Sequence, residues 1–93
     1  MLLVIPDWGS QHFVMYYVYI LLCGDNSFYT GITNDLERRF REHRDKKGGH
    51  YTNAHAVKKI LYAEKHTTRS KALKREAEIK TWPRWKKLKL IKK

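Results

Sequence analysis

Tyr16-Tyr17-Val18-Tyr19-Ile20-Leu21-Leu22, then Gly24-Asp25-Asn26-Ser27, then Phe28-Tyr29-Thr30-Gly31-Ile32-Thr33, is the stretch that decides the fold. The first run is aromatic and aliphatic without polar alternation. That pattern predicts a strand buried on both faces, because a strand with one wet face alternates apolar and polar residues. The Gly-Asp-Asn-Ser cluster reverses the chain. The second run is again strand-like, so the two form an antiparallel hairpin. Gly31 lies inside that second strand, where a glycine marks close approach by another backbone or a ligand. Tyr19 and Tyr29 share one face of the hairpin only if the register matches their parity.

Working outward, Thr33 or Asn34 is expected to cap a helix from about Asp35 to Lys46. Asp35 and Glu37 suit its positive first turn. Gly48-Gly49 ends it, and a loop containing Tyr51 follows. Val57 to Lys65 reads as a third strand, with Val57, Ile60, Leu61 and Tyr62 as its apolar members. Thr67 or Thr68 then caps a second helix to about Lys80. Pro83 opens a short third helix, since proline is tolerated in a first turn. The order ββαβαα is an α+β arrangement. It predicts a mixed sheet of about three strands flanked by helices. A chain of 93 residues makes one domain, taken as 15–93. Residues 1–14 are expected to be a loosely ordered N-terminal extension, with Met15 as an alternative chain start.

The charged share is 31%, above the ordinary ~25%. Twenty Lys and Arg against nine Asp and Glu leave a net charge of +11. Such an excess concentrates polyanions, so nucleic acid is the expected partner, with a generally adhesive basic protein as the alternative. Cys23 is the single cysteine, which excludes an internal disulfide framework and a thiolate zinc site. His50 and His55 are too isolated to hold zinc. Leu2 to Ile5 is apolar, but Pro6 and Asp7 interrupt it well short of a membrane span. A soluble, cytoplasmic, monomeric protein is the simplest expectation.

Successive helical residues turn by about 100°. On the first helix, Leu36, Phe40 and His43 then share one arc, with Arg39 at its edge. Glu37, Arg38, Arg41 and Glu42 point to water. On the second helix, Leu73 and Ala77 flank one side of an apolar arc and Ala72 and Ile79 the other. Glu76 falls between them, while Lys71, Lys74, Arg75 and Glu78 take the outer face. A charge inside an apolar stripe departs from ordinary amphipathicity. Arg39 and Glu76 must therefore be paired, hydrated in a cleft or bound to an ion. One reading is a simple salt bridge between them. The other is a cleft in which Glu76 holds a hard cation such as Mg²⁺ and Arg39 faces a phosphate. Lys80, Arg84, Lys86, Lys87 and Lys89 belong to a cationic end with no acidic residue from Ile79 onward. They read as nucleic-acid-binding or as a solvated helix face. Trp82 and Trp85 are expected to anchor the last helix.

Tyr17-Val18-Tyr19 and Tyr29-Thr30-Gly31, on adjacent strands, resemble the two tripeptides that define the GIY-YIG nuclease superfamily. Arg39 on the following basic helix and Glu76 on a later one fit the same pattern. The runs Tyr-Thr-Gly-Ile-Thr-Asn-Asp-Leu-Glu-Arg-Arg and Ala72-Leu73-Lys74-Arg75-Glu76 are similar to its small single-domain bacterial branch. The resemblance covers about residues 15–90. It implies hydrolysis of phosphodiester bonds, in DNA rather than RNA, with Mg²⁺ or with Mn²⁺ as substitute. Glu76 would ligate the metal and Arg39 would contact a phosphate oxygen. Tyr29, or else Tyr19, would orient or deprotonate water, although a free tyrosine ionises only at about 10. His43, four residues beyond Arg39, would be a general base, a phosphate contact or a filler of the helix–sheet seam. A domain so small should act on a nucleic-acid structure rather than a long sequence. The alternative is a binding module that keeps this scaffold and turns over poorly or not at all.

Overall fold

The computed structural model describes residues 14–45 and 55–92. The expected extension up to residue 13, the Gly48-Gly49 helix stop, His50 and Tyr51 lie outside the described residues. The elements are β1 (Tyr16–Cys23), β2 (Phe28–Thr33), α1 (Leu36–Arg44), β3 (Val57–His66), α2 (Arg69–Lys80) and α3 (Arg84–Ile91). The order ββαβαα and the three-stranded sheet are as expected. No helix among the described residues is long and apolar enough to cross a membrane.

The sheet order is β2-β1-β3, with both pairings antiparallel. The expectation of a mixed sheet is therefore corrected. A strand reached through a helix commonly runs parallel to the one before it, and β3 does run parallel to β2. But β1 lies between them, so no parallel pair forms. The central place of β1 explains its unbroken apolar run: Val18, Tyr19, Ile20 and Leu21 are all at most 1% exposed. The hairpin turn is held by Asp25, whose carboxylate accepts from the Ser27 backbone N–H at 3.1 Å and from the Ser27 hydroxyl at 2.5 Å. Asn26 adopts φ 67°, a left-handed conformation that asparagine tolerates.

Asp35, rather than Thr33 or Asn34, caps α1: its side chain accepts from the Arg38 backbone N–H at 3.1 Å. Thr33 instead accepts from the Asp35 backbone N–H through its hydroxyl, also at 3.1 Å. Thr68 caps α2 through the Lys71 backbone N–H. Pro83 stands at the N-cap of α3.

The two faces of β1 serve different ends. Val18 and Ile20 pack with Ala72 and Ile79 of α2 and with Leu90 of α3. Side chains alternate along a strand, so Tyr19 faces the other way, where α1 brings His43 against it. On α2 the inward face is Ala72, Arg75, Glu76 and Ile79, of which Ala72 and Ile79 are buried and the other two half-buried. Leu73 and Ala77, expected in the apolar arc, are exposed. The helix is rolled so that the 72/75/76/79 stripe meets the sheet, which also draws in Arg75, expected outside.

Candidate active site

In the hairpin register Tyr19 stands opposite Gly31 and Leu21 opposite Tyr29. Directly opposed residues project to the same face. Tyr19 and Leu21 are two positions apart, so they also share a face. The parity condition is met, and both tyrosines lie on the α1 side. Their ring centroids are 6.3 Å apart.

Gly31 is the position that permits this. A Cβ there would meet the Tyr19 hydroxyl oxygen at 2.6 Å and its Cζ at 2.8 Å. The close approach anticipated at this glycine comes from a side chain, not from a backbone or ligand. Tyr19 cannot yield cheaply, because it is 1% exposed and hydrogen-bonded. Gly31→Ala should therefore displace Tyr19 and cost roughly 1–3 kcal/mol. Thermal melting should fall by on the order of 10 °C in a domain of this size. A Gly31→Ala protein that melts with the parent would show that Tyr19 is not held.

The Tyr19 hydroxyl lies 2.8 Å from His43 Nε2. Arg39 also hydrogen-bonds to Tyr19, and a guanidinium can only donate. The tautomer that satisfies both neighbours has Tyr19 donating its O–H to Nε2, with the ring proton of His43 on Nδ1. Burial pushes Tyr19 up to about 12; the Arg39 hydrogen bond opposes this, while Tyr29 and the negative charge of Glu76 add to it. Burial likewise depresses His43 to about 4, and the Arg39 charge acts in the same direction. At neutral pH the pair is thus a neutral phenol donating to a neutral imidazole. The Tyr29 ring meets His43 edge-on at 5.0 Å between centroids. Burial works against the Arg39 charge, but Glu42 and Tyr19 outweigh it and leave its pKa raised.

Arg39 pairs with Glu42 at 3.0 Å, and Glu76 with Lys80 at 3.3 Å. Each charge thus has a partner one turn along its own helix. The Glu76 side chain keeps 17% of its surface exposed. A cavity of about 390 Å³ opens where Arg39 meets the end of β2 and the start of α2, with Arg38, Glu42, Arg69 and Tyr16 in its walls.

The family model described as the GIY-YIG catalytic domain matches residues 15–89. The chain belongs to the GIY-YIG family. Among its relatives, a UPF0213 protein of Staphylococcus saprophyticus is 47% identical over 76 residues, which is 82% of this chain and 93% of that protein. A UPF0213 protein of Oceanobacillus iheyensis is 47% identical as well, over 82% of this chain and 88% of that one. Two solution NMR structures are similar. A UPF0213 protein of Bacillus halodurans has a TM-score of 0.55 at 36% identity, and a protein of E. faecalis has 0.58 at 41%. Each comparison covers 84% of this chain and 83% of the other.

In this GIY-YIG chain, Tyr19, Tyr29, Arg39 and His43 come together in one contact network. Glu76 lies within electrostatic reach of Tyr19. Glu42 was expected to point to water and is instead half-buried against Arg39. Its spacing of three from Arg39 was the available signal. Arg38 and Arg69 entered the cleft unforeseen, because neither lies in an apolar stripe. Of the expected nucleic-acid-binding cations, Lys80 is engaged with Glu76, and Arg84 lies over the Phe28 ring at 4.0 Å. Lys86 lies 4.4 Å above the Trp82 ring, Lys89 lies 5.3 Å from that of Trp85, and Lys87 is half-buried on α3. Trp82 packs against the core as expected. Trp85 does not, being 60% exposed. The inward edge of α3 runs through Leu90 and Ile91, and Trp85 projects away from it.

Proposed function

We propose that this protein is a metal-dependent endonuclease that hydrolyses phosphodiester bonds in DNA, directed by the shape of the substrate. The observation that carries this reading is the hydrogen-bonded series Arg39–Tyr19–His43, with Tyr29 against it and Glu76 within electrostatic reach. Arg39 donates to a non-bridging oxygen of the scissile phosphate. It is rigidly presented, because Tyr19 and Glu42 both accept from it. Tyr19 positions Arg39 and His43; with its proton held up to about 12, it is a poor base at neutral pH. Tyr29 is half-buried and so can reach solvent, which suits it to orient or deprotonate the attacking water. His43 stays neutral across the physiological range and holds the Tyr19 hydroxyl as a hydrogen-bond acceptor. With its pKa lowered to about 4 by burial and the Arg39 charge, it orients the cluster rather than acting as a base.

Glu76 is the residue that would hold Mg²⁺, or Mn²⁺ in its place. It offers hard oxygens at a half-buried position. No group of three or more His, Cys, Asp and Glu converges among the described residues. That donor set fits Mg²⁺, which keeps several waters and is often held by one carboxylate and substrate phosphates. When bound, such an ion supplies charge stabilisation at the phosphate and the leaving oxygen. The Lys80 ammonium on Glu76 favours one second reading. It neutralises the carboxylate that would take the ion, as suits a DNA-binding module that keeps the scaffold without turnover. A panel of branched, nicked and single-stranded DNA with Mg²⁺ and Mn²⁺, run beside Glu76→Gln, separates the two. Cleavage of none of these substrates leaves the binding module.

Either reading requires salt-sensitive binding. The slope of log K against log salt should report several phosphate contacts, at roughly −0.9 per contact on duplex DNA. Replacing Lys86, Lys87 and Lys89 should weaken both single-stranded and duplex substrates and flatten that slope. Affinity that holds steady from low to physiological salt would contradict DNA binding through this surface.

A further inference from the structure

A second groove, of about 280 Å³, lies on α3, away from the tyrosine cluster, and is lined by Arg75, Trp82, Trp85, Lys86, Lys89 and Leu90. Its two tryptophans differ. The Trp82 ring already carries two cations, Arg75 at 5.1 Å and Lys86 at 4.4 Å. Arg75 is fixed there by Glu64 at 3.0 Å and Glu78 at 2.9 Å. Trp85 is 60% exposed and has Lys89 beside its ring. A large aromatic left in water contributes little to the core, whereas a flat ring flanked by ammonium groups suits a flat, anionic partner.

We infer that this groove binds an unpaired base of single-stranded DNA, stacked on Trp85, with the adjoining phosphates on Lys86 and Lys89. The inference deepens the DNA reading above and rests on it. Stacking platforms bordered by cations are how proteins hold single strands, because every base offers a π face while only the backbone offers charge. A duplex keeps its base faces covered. The groove would thus give preference for branched, gapped or frayed DNA, where a base is free to leave the stack. Charge argues against a second copy as occupant. The chain carries +11 and has no acidic residue from Ile79 onward, so two such faces repel.

The test is binding in metal-free buffer by the full chain, which separates it from cleavage. The probes are a labelled oligothymidylate and a duplex with the same number of phosphates. Trp85→Ala should weaken the single strand roughly tenfold and leave the duplex nearly unchanged. Trp85→Phe should retain most of the affinity, since it keeps a ring. Because Trp85 is exposed, both variants should melt with the parent. If Trp85→Ala does not fold, Trp85→Leu, which keeps apolar bulk but offers no ring, should show the same single-strand loss. Equal losses on both probes, or no loss on the single strand, would overturn the stacking site. So would a parent dimer in sedimentation that Trp85→Ala dissociates. A protein that shows the Trp85-dependent preference but never cuts DNA keeps this inference and loses the nuclease reading. One that cuts without the preference does the reverse.

Discussion

Glu76→Gln is expected to abolish Mg²⁺-dependent cleavage while leaving the melting temperature equal to that of the parent or higher. Glutamine keeps the shape of the side chain and removes the charge. The loss of activity should reach at least ~100-fold, the scale seen when one electrostatic stabiliser is removed from a reaction centre. The stability side follows from the partner of Glu76. That partner is Lys80, 55% exposed and four residues along the same helix. Pairs of this kind contribute only about 0.3–0.5 kcal/mol. Removing the charge also relieves a half-buried carboxylate of its desolvation. A structural role would look different, because breaking a buried ion pair costs roughly 3–5 kcal/mol. The melt and the cleavage assay belong on the same protein. A sharp fall in melting temperature, together with a parent that shows no Mg²⁺-dependent cutting, would leave Glu76 as a structural residue and the protein as a binding module.

Acidification from pH 7 to 4 should destabilise the fold through His43. Its pKa is lowered from 6.5 to about 4 because the ring is buried and lies near Arg39. The folded state thus prefers the neutral imidazole more than the unfolded chain does. The stabilisation is fully present above 6.5 and is lost as the pH falls through about 4. Its size is about 3 kcal/mol, at roughly 1.4 kcal/mol per pH unit. In a domain of this length that corresponds to on the order of 10–20 °C in melting temperature. Carboxylates such as Glu64, also held below its usual range, contribute in the same direction. The informative quantity is therefore the difference between the parent and His43→Gln. That difference should shrink steadily between pH 6.5 and 4. A constant difference would show that His43 does not titrate with the fold, and an NMR titration of its ring in the parent gives the same answer if the variant does not fold.

Much of the fold was legible because its determinants are local. Tyr16 to Leu22 has no polar alternation, which only a doubly covered strand tolerates. Gly24 to Ser27 carries turn chemistry within four residues, and Asp25 with Asn26 performs it. Thr68 and Pro83 sit where helices start for reasons that need no distant partner. Arg39 and Glu76 stood out because each interrupts a helical stripe, a pattern visible along a single element.

The remaining features depend on how the elements meet. The order of the strands was not local: a helix between β2 and β3 implied a parallel neighbour, and only the insertion of β1 made the sheet antiparallel. The roll of α2 was set by the sheet it covers, so Leu73 was left in water and Arg75 was drawn to Glu64. Glu42 turned inward because Arg39 offered it a charge. By itself, then, the sequence determined the hairpin, the starts of α2 and α3, the order of elements and the two misplaced charges, all of which arise from neighbours within a turn or a strand. The cap of α1 fell one or two residues later than expected, at Asp35. Only the tertiary structure decided that Tyr19 lies across Gly31, that His43 meets it as a neutral acceptor and that Trp85 is exposed. Those depend on strand register and on the docking of α1 and α3, where contacts between distant residues override the preferences of each segment.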